Sequence, residues 1–525
     1  MRPISMQCFG EFCSGRLGPL ATFVFGLALL STPACLELDD CSATDITCNG
    51  IGWLLYLQNA DAGNAAPARC GGGTSGSAFY SFYGATGSDS ISATCATSDG
   101  GTILAGRSTA DIASLGGVAP GIAYNAGNDA LIIKLDAANA VEWYSFTGGP
   151  VGEAFFGVTE AQGGGFVAVG EATGDLGTLG GKAPVIAFQS TPDWLVVSYT
   201  SSGAVDWWTY IGSGGADLDE GMSVAELSGG GFVVGGHAGD LTGMPVANLS
   251  THAGNFDQTF VKLSATGAVE WYRSFGSTVN EQSREIVATA DGGFVSTGLG
   301  LGDIINVGGA MPIIARHGSQ DTLVAKFTAS GALEWFTFLG AAGGLHIGNS
   351  ITELTDGSFV VGMTATSDVA TLDGKAPLSA FITSDMYLAR LTAAGALDWH
   401  TFLPTAAVES FSHVAALTDG SFIAGGFTDG AFATLNGQTP LNAYVGGDEM
   451  VLVRMAADGS QIWFSFVGGA GNEEVKGLAG TRDGGFVLSG ESSANIGSLG
   501  GLTPLIGYSN FIDGFVLRGS ADGPF

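Results

Sequence analysis

Apolar residues in this chain fall in short runs broken by glycine, with few segments at helical spacing. Residues 269–327 show the pattern. Val269-Glu270-Trp271-Tyr272-Arg273-Ser274-Phe275 reads as an aromatic-rich strand that stops at Gly276. Ile286-Val287-Ala288-Thr289 reads as a short second strand. Asp291-Gly292-Gly293 follows as a tight hairpin turn, because Asp-Gly supplies the positive φ angles that such turns need. Phe294-Val295-Ser296-Thr297 is a third strand, and after a long loop Asp321 opens a fourth, Leu323-Val324-Ala325-Lys326-Phe327. Ser330-Gly331 then turns into the next aromatic strand at Trp335.

The same unit recurs seven times, from Gly100-Gly101-Thr102-Ile103 to Gly484-Gly485-Phe486-Val487. The second turn residues fall at 101, 165, 231, 293, 358, 421 and 485, a period of 64, 66, 62, 65, 63 and 64. Four short strands repeated seven times predict an all-β, seven-bladed β-propeller over residues 77–525. The phase of the repeats predicts how the ring closes. The first unit opens with the aromatic strand Phe79–Tyr83, and the last ends with the strand that Asp513 begins. With the aromatic strand outermost in each blade, Phe79–Tyr83 must join the sheet built from residues 475–518, which removes an open edge.

Aligning the units turns single residues into columns. Phe79, Trp143, Trp207, Trp271, Trp335, Trp399 and Trp463 form one, expected to fill the space between adjacent sheets. Asp129, Asp193, Asp257, Asp321, Asp385, Asp448 and Asp513 form another, expected to tie down the loop before the fourth strand. Twelve residues before each turn stand Asp89, Glu153, Asp219, Glu281, His346, Glu409 and Glu473. If the strand they enter is innermost, these seven ring the mouth of a central channel, where clustered carboxylates are candidate ligands for Ca²⁺. The competing and favoured expectation is that each accepts backbone N–H bonds in its own loop. The long loops before the fourth strand also repeat, as in Leu115-Gly116-Gly117-Val118-Ala119-Pro120 and Leu372-Asp373-Gly374-Lys375-Ala376-Pro377. They are expected to form one regular face suited to protein recognition, with Leu241–Phe256 the most deviant.

Charge narrows the partners. Lys and Arg number 17 against 49 Asp and Glu, a formal net charge of −32. A polyanion such as nucleic acid is repelled, and cations or basic protein surfaces are favoured.

The N-terminus reads as an export signal. Arg2 and Arg16 flank an apolar run from Leu17 to Leu30, followed by Ser31-Thr32-Pro33-Ala34-Cys35. The run is too short for an ordinary spanning helix. Residues 1–34 are expected to be a signal peptide of lipoprotein type and Cys35 the lipidated residue. Residues 35–76 are expected to be a tether, so the membrane is met only through the lipid. Four cysteines remain, Cys41, Cys48, Cys70 and Cys95, which allow three pairings; Cys41–Cys48 with Cys70–Cys95 is favoured.

The pattern Asp-Gly-Gly-Phe-Val, Asp-x-apolar-x-apolar-Lys-Leu, Gly-Ala-x-Glu-Trp and Phe-Gly resembles the bacterial seven-bladed β-propeller repeat, or SBBP, family, whose repeats occur in spirochaete lipoproteins. The likeness covers residues 77–518 and implies the propeller fold; that family carries no shared catalytic residue. The six histidines show no metal-ligand spacing, and no nucleophile elbow, phosphate loop or His-Glu-x-x-His is present. The expectation is a monomeric, non-enzymatic binding or scaffold module of the bacterial cell envelope, placed as an outer-membrane lipoprotein, with a protein or glycan ligand. Two alternatives stand beside it: a carbohydrate-active enzyme using an acid pair such as Glu153 and Glu409, and a purely structural envelope protein.

Overall fold

In a computed structural model of the chain, the described residues are 77–525 apart from 216–218, 242, 404, 406, 408 and 510, and the side chains of 411 and 412. The expected signal and tether, with Cys35, Cys41, Cys48 and Cys70, lie outside them. Cys95 is buried in the first strand of blade 1.

Seven antiparallel four-stranded sheets form a seven-bladed β-propeller, with no helix among the described residues. Blade 1 runs outward as Asp89–Ala96, Thr102–Ser108, Asp129–Leu135 and Val141–Thr147. The innermost strands of blades 2 to 7 are Glu153–Glu160, Glu220–Glu226, Glu281–Ala288, His346–Glu353, Glu409–Ala416 and Glu473–Gly480. Each touches the innermost strand of the next blade, and blade 7 touches blade 1, so the ring is complete. Blade 7 takes its outer strand from the start of the repeats: Phe79–Tyr83 pairs antiparallel with Asp513–Gly519, Phe79 opposite Arg518. The unit that sequence counts as four consecutive strands is thus shifted by one strand from the blade, which closes the ring with strands from both ends.

The core lies between blades. Ile103 and Ile132 of blade 1 pack with Phe155, Phe166 and Trp208 of blade 2, and equivalent clusters follow at every interface. The tryptophan column serves this seam. Trp207 stacks toward Phe232 of the next blade, centroids 6.3 Å apart, and its indole N–H donates to the Ala265 carbonyl at 2.9 Å. Trp143, Trp335, Trp399 and Trp463 make the same bond 58 residues ahead, at 2.9, 3.1, 2.9 and 2.7 Å. One ring therefore supplies both apolar area and a directed tie to the neighbouring blade.

Basic residues of the third strand bind the Asp of the hairpin turn. Lys134 meets Asp99 at 2.8 Å and Arg518 meets Asp483 at 3.1 Å, while Lys326, Arg390 and Arg454 pair with Asp291, Asp356 and Asp419. Blade 2 carries Ser198 and Gly163 at these two positions, and blade 3 keeps Lys262 against Gly229, the ammonium donating to the Gly230 carbonyl instead.

The long loops run along the outer strands. Each folds back along the outer strand of its own blade: Val185 N–H bonds the Trp208 carbonyl at 2.9 Å, and Tyr210 N–H bonds Ile186 at 3.2 Å. Leu378 to His400, Leu441 to Phe464 and Leu505 to Tyr80 repeat the first bond at 2.9, 2.9 and 3.1 Å. The loop thereby occupies an edge that would otherwise be free to recruit another strand. The Leu-Gly-Gly-x segments make this return possible. Leu115 and Val118 exchange both backbone bonds across Gly116 and Gly117, whose φ values are +58° and +87°, a type I′ turn. Asp373-Gly374 and Asn436-Gly437 fill the same turn with the other residues that tolerate positive φ.

Candidate functional site

Two acid columns meet at the blade interfaces. The N–H of Glu153 donates to the Asn128 carbonyl of the preceding blade at 2.8 Å. Glu281 to Phe256, His346 to Gln320, Glu409 to Ser384, Glu473 to Asp448 and Asp89 to Ile512 repeat this tie at 2.7–3.0 Å. It brings the residue that heads one inner strand beside the acid that heads the third strand of the previous blade. A glycine sits between them. A Cβ on Gly84 would lie 2.5 Å from Asp513 Oδ1 and 2.6 Å from Asp89 Oδ2; on Gly276, 2.4 Å from Asp257 Oδ1 and 2.6 Å from Glu281 Oε2. Glycine is needed there because two carboxylates occupy the side-chain volume.

Asp89, Glu153, Asp219, Glu281, His346, Glu409 and Glu473 are all buried, at 0–1 % exposure. Five of them take an N–H from their own entering loop. Glu153 accepts from Gly149 at 2.9 Å, Glu473 from Gly469 at 2.9 Å, Glu281 from Ser277 at 2.6 Å, Asp89 from Ala85 at 2.6 Å and Asp219 from Ser213 at 2.7 Å. Glu409 accepts from the Thr405 hydroxyl instead. His346, the odd member by sequence, faces Asp321 with Nδ1 3.9 Å from Oδ1. The seven are distributed one per interface, and no group of three or more metal-ligating side chains converges among the described residues. Glu153 and Glu409 belong to different interfaces, and both are buried.

The other acid column needs one correction. Asp129, Asp193, Asp257, Asp321, Asp385 and Asp513 head their strands as expected, but in blade 6 the residue in that slot is Glu449, not Asp448. Glu449 accepts the N–H groups of Val445 and Gly446 at 2.5 and 2.9 Å, the bonds that Asp129 makes to Asn125 at 2.6 Å. Asp448 is thereby released to the surface, where the other blades carry Asn128, Pro192, Phe256, Gln320, Ser384 and Ile512.

Asp448 joins a pocket of about 250 Å³ at the rim of blades 6 and 7. Glu473, Glu474 and Glu491 supply further carboxylates, and Phe427 and Ile512 form apolar walls. Lys476 offsets part of this charge, with Nζ 3.1 Å from Glu474 and 3.8 Å from Glu491. A second charged group lies on blades 2 to 4. His237 Nε2 is 3.6 Å from Glu220, and His237 Nδ1 and Arg284 Nε have no hydrogen-bond partner. Burial, then the nearby Arg284 charge, pushes the His237 pKa down to about 4. Burial and then Glu220 push the Glu171 carboxyl up.

The inner strands are irregular at one place each. Each bears a β-bulge, between Ile91 and Ala93, Phe155 and Gly157, Gly221 and Ser223, Ser283 and Glu285, Gly348 and Ser350, Phe411 and His413, and Val475 and Gly477. A bulge leaves one residue out of the ladder and re-aims its side chain. The skipped residues include Phe156, Met222, Arg284, Asn349 and Lys476, a different side chain in each of these blades. Sequence reasoning passed over Glu171, Glu220, His237, Arg284, Glu474 and Lys476. Their signal was variation at a fixed repeat position, on the inner strands and the second strands beside them.

No family model matches the chain, and no curated protein matches it. Solved structures with similar arrangements include an unknown-function protein from Dyadobacter fermentans, at 9 % identity and TM-score 0.37, covering 68 % of this chain and 92 % of that one. BamB from Moraxella catarrhalis is similar at 12 % identity and TM-score 0.32, covering 74 % and 91 %. An ulvan lyase of polysaccharide lyase family PL25 is similar at 9 % identity and TM-score 0.37, covering 79 % and 92 %.

Proposed function

We propose that this chain is an exported, lipid-anchored propeller of the bacterial cell envelope, with repeats of the SBBP type, acting as a binding or scaffold module through its channel mouth. The observation that carries the binding reading is a division of labour among charged residues. Acids at repeated positions are buried between blades, whereas Glu220, Arg284, Glu474, Lys476 and Glu491 break the repeat on the axial strands or their immediate neighbours. A surface that varies blade by blade on a constant frame is what selective recognition requires. The net charge of −32 favours a basic protein surface or a cationic group over a polyanion.

Export and anchoring rest on Arg2, Arg16, Leu17–Leu30 and Cys35. Cys35→Ala is expected to move the protein from the membrane to the soluble fraction; unchanged fractionation contradicts the anchor. For recognition, the purified propeller is applied to glycan and basic-peptide arrays beside a Glu474→Gln/Glu491→Gln variant. Retained signal for the parent and loss for the variant is the expected result. Hydrolysis of a bound glycan, or equal signal from both proteins, contradicts the binding-module reading.

A further inference from the structure

The blade interfaces carry more buried negative charge than their hydrogen bonds absorb. Asp129 and Glu153 are 0 % and 1 % exposed. Each spends one oxygen on its own loop: Asp129 Oδ2 accepts from Asn125 at 2.6 Å, and Glu153 Oε2 from Gly149 at 2.9 Å. The remaining oxygens, Asp129 Oδ1 and Glu153 Oε1, are buried and make no well-formed hydrogen bond, the Ala126 N–H being the other backbone donor near Asp129. The Glu153-to-Asn128 backbone tie holds the two residues side by side. The Asp385 and Glu409 interface is similar on the glutamate side only: Asp385 Oδ2 accepts from Ile382 at 2.8 Å and Oδ1 from Thr383 at 3.4 Å. Both residues are 0 % exposed, the Glu409 N–H bonds Ser384 at 3.0 Å, and Glu409 Oε2 is left without a donor.

Among the described residues no basic group is seen to compensate them. Around Asp129 and Glu153 the other titratable groups are the Tyr124 and Tyr210 phenols, with Asp111, Asp175 and Asp193 beyond. Around Glu409 they are Asp385 and Asp429. Lys134, Lys326, Arg390, Arg454 and Arg518 are engaged at the hairpin turns instead. Two ionised carboxylates in such a place are severely penalised, whereas one carboxylic acid donating to one carboxylate gives each orphaned oxygen a partner.

We propose that the Asp129/Glu153 and Asp385/Glu409 interfaces are each closed by one proton shared between the two carboxyl groups, so that the ring tightens in acid and loosens as the pH rises. In each pair the glutamic acid O–H donates to the aspartate, leaving one negative charge per pair. Burial carries Glu153 up to about 7, with Asp129 adding to the effect, and burial followed by Asp385 carries Glu409 up to about 8. Both lie above the ordinary 4.5, so the folded state holds more protons than the unfolded chain between 4.5 and these values. The stabilisation is complete below pH 4.5 and is lost as the pH rises through 7 to 8.

Glu153→Gln with Glu409→Gln tests this in the full chain, because the amide keeps the shape and supplies a permanent N–H donor. Thermal unfolding is followed at pH 5 and pH 8, with chelator and with millimolar Ca²⁺. The expected result is a parent Tm that falls from pH 5 to pH 8 and a variant Tm that exceeds the parent at pH 8 only. A variant that melts below the parent at pH 8 overturns the proposal. So does a parent restored at pH 8 by Ca²⁺, which would make the pairs cation sites. Infrared spectra of the parent give an independent reading should the variant not fold: a protonated-carboxyl stretch that persists at pH 7 and vanishes at higher pH is expected, and its absence at pH 7 overturns the proposal.

Discussion

Trp207 shows what a repeated residue contributes. It is 7 % exposed, faces Phe232 across a blade seam and holds the Ala265 carbonyl. Trp207→Ala should cost about 3–5 kcal/mol in denaturant unfolding, the sum of lost area and a cavity at the seam. His237 makes the opposite kind of residue-scale claim. Its folded pKa of about 4 lies below 6.5, so the unfolded chain binds more protons in that interval and stability falls as the pH drops from 6.5 to 4. His237→Gln should flatten that acid limb, measured by Tm against pH; an unchanged limb would show that His237 is not desolvated. The tryptophan column was readable in sequence because side-chain size must repeat where the gap repeats. The Asp448 slot was not, since Asp448-Glu449 offers two acids and only loop geometry chooses between them. The spacing to Trp463, 15 from Asp448 and 14 from Glu449 as in the other blades, was the available signal. His346 looked exceptional in one column and becomes regular once Asp321 is seen beside it.

Strands and their order were legible because a two-residue turn flanked by apolar runs has one simple meaning. The course of the long loops was not. Their contact with the outer strand is made by backbone groups, as in Val185 to Trp208, and backbone bonds leave no residue signature. What the sequence does carry is the turn that permits the return. Gly117 has φ +87° and nothing within 4 Å of a notional Cβ, so a methyl group there meets conformational strain and no clash. Gly117→Ala should therefore destabilise by about 1–2 kcal/mol through backbone strain alone, read from the denaturant midpoint. The bulges of the inner strands were equally hidden, and they re-aim the side chains that distinguish one blade from the next. Fold and site thus differ in legibility for one reason: repetition advertises the frame, and departure from repetition, which has no template, marks the mouth.

At the scale of the molecule, charge is sorted by depth. The basic column secures hairpin turns, the repeated acids lie between blades, and the unrepeated Asp448, Glu474 and Glu491 line a pocket of blades 6 and 7. That sorting depends on seven blades acting as a single ring, and the ring depends on one short strand. Phe79–Tyr83 is wholly buried, hydrogen-bonded along Asp513–Gly519, and held further by the Leu505 N–H at the Tyr80 carbonyl and the Tyr80 hydroxyl at Gly497. Without it, the third strand of blade 7 becomes an open edge and the seam between blades 7 and 1 loses Phe79 and Tyr83. Differential scanning calorimetry of the propeller with and without residues 77–84 tests this most directly. A single sharp transition for the intact ring, and a lowered, broadened or absent transition for the shortened chain, is the predicted result. A shortened chain that melts as sharply and at the same temperature as its parent would contradict closure by the N-terminal strand.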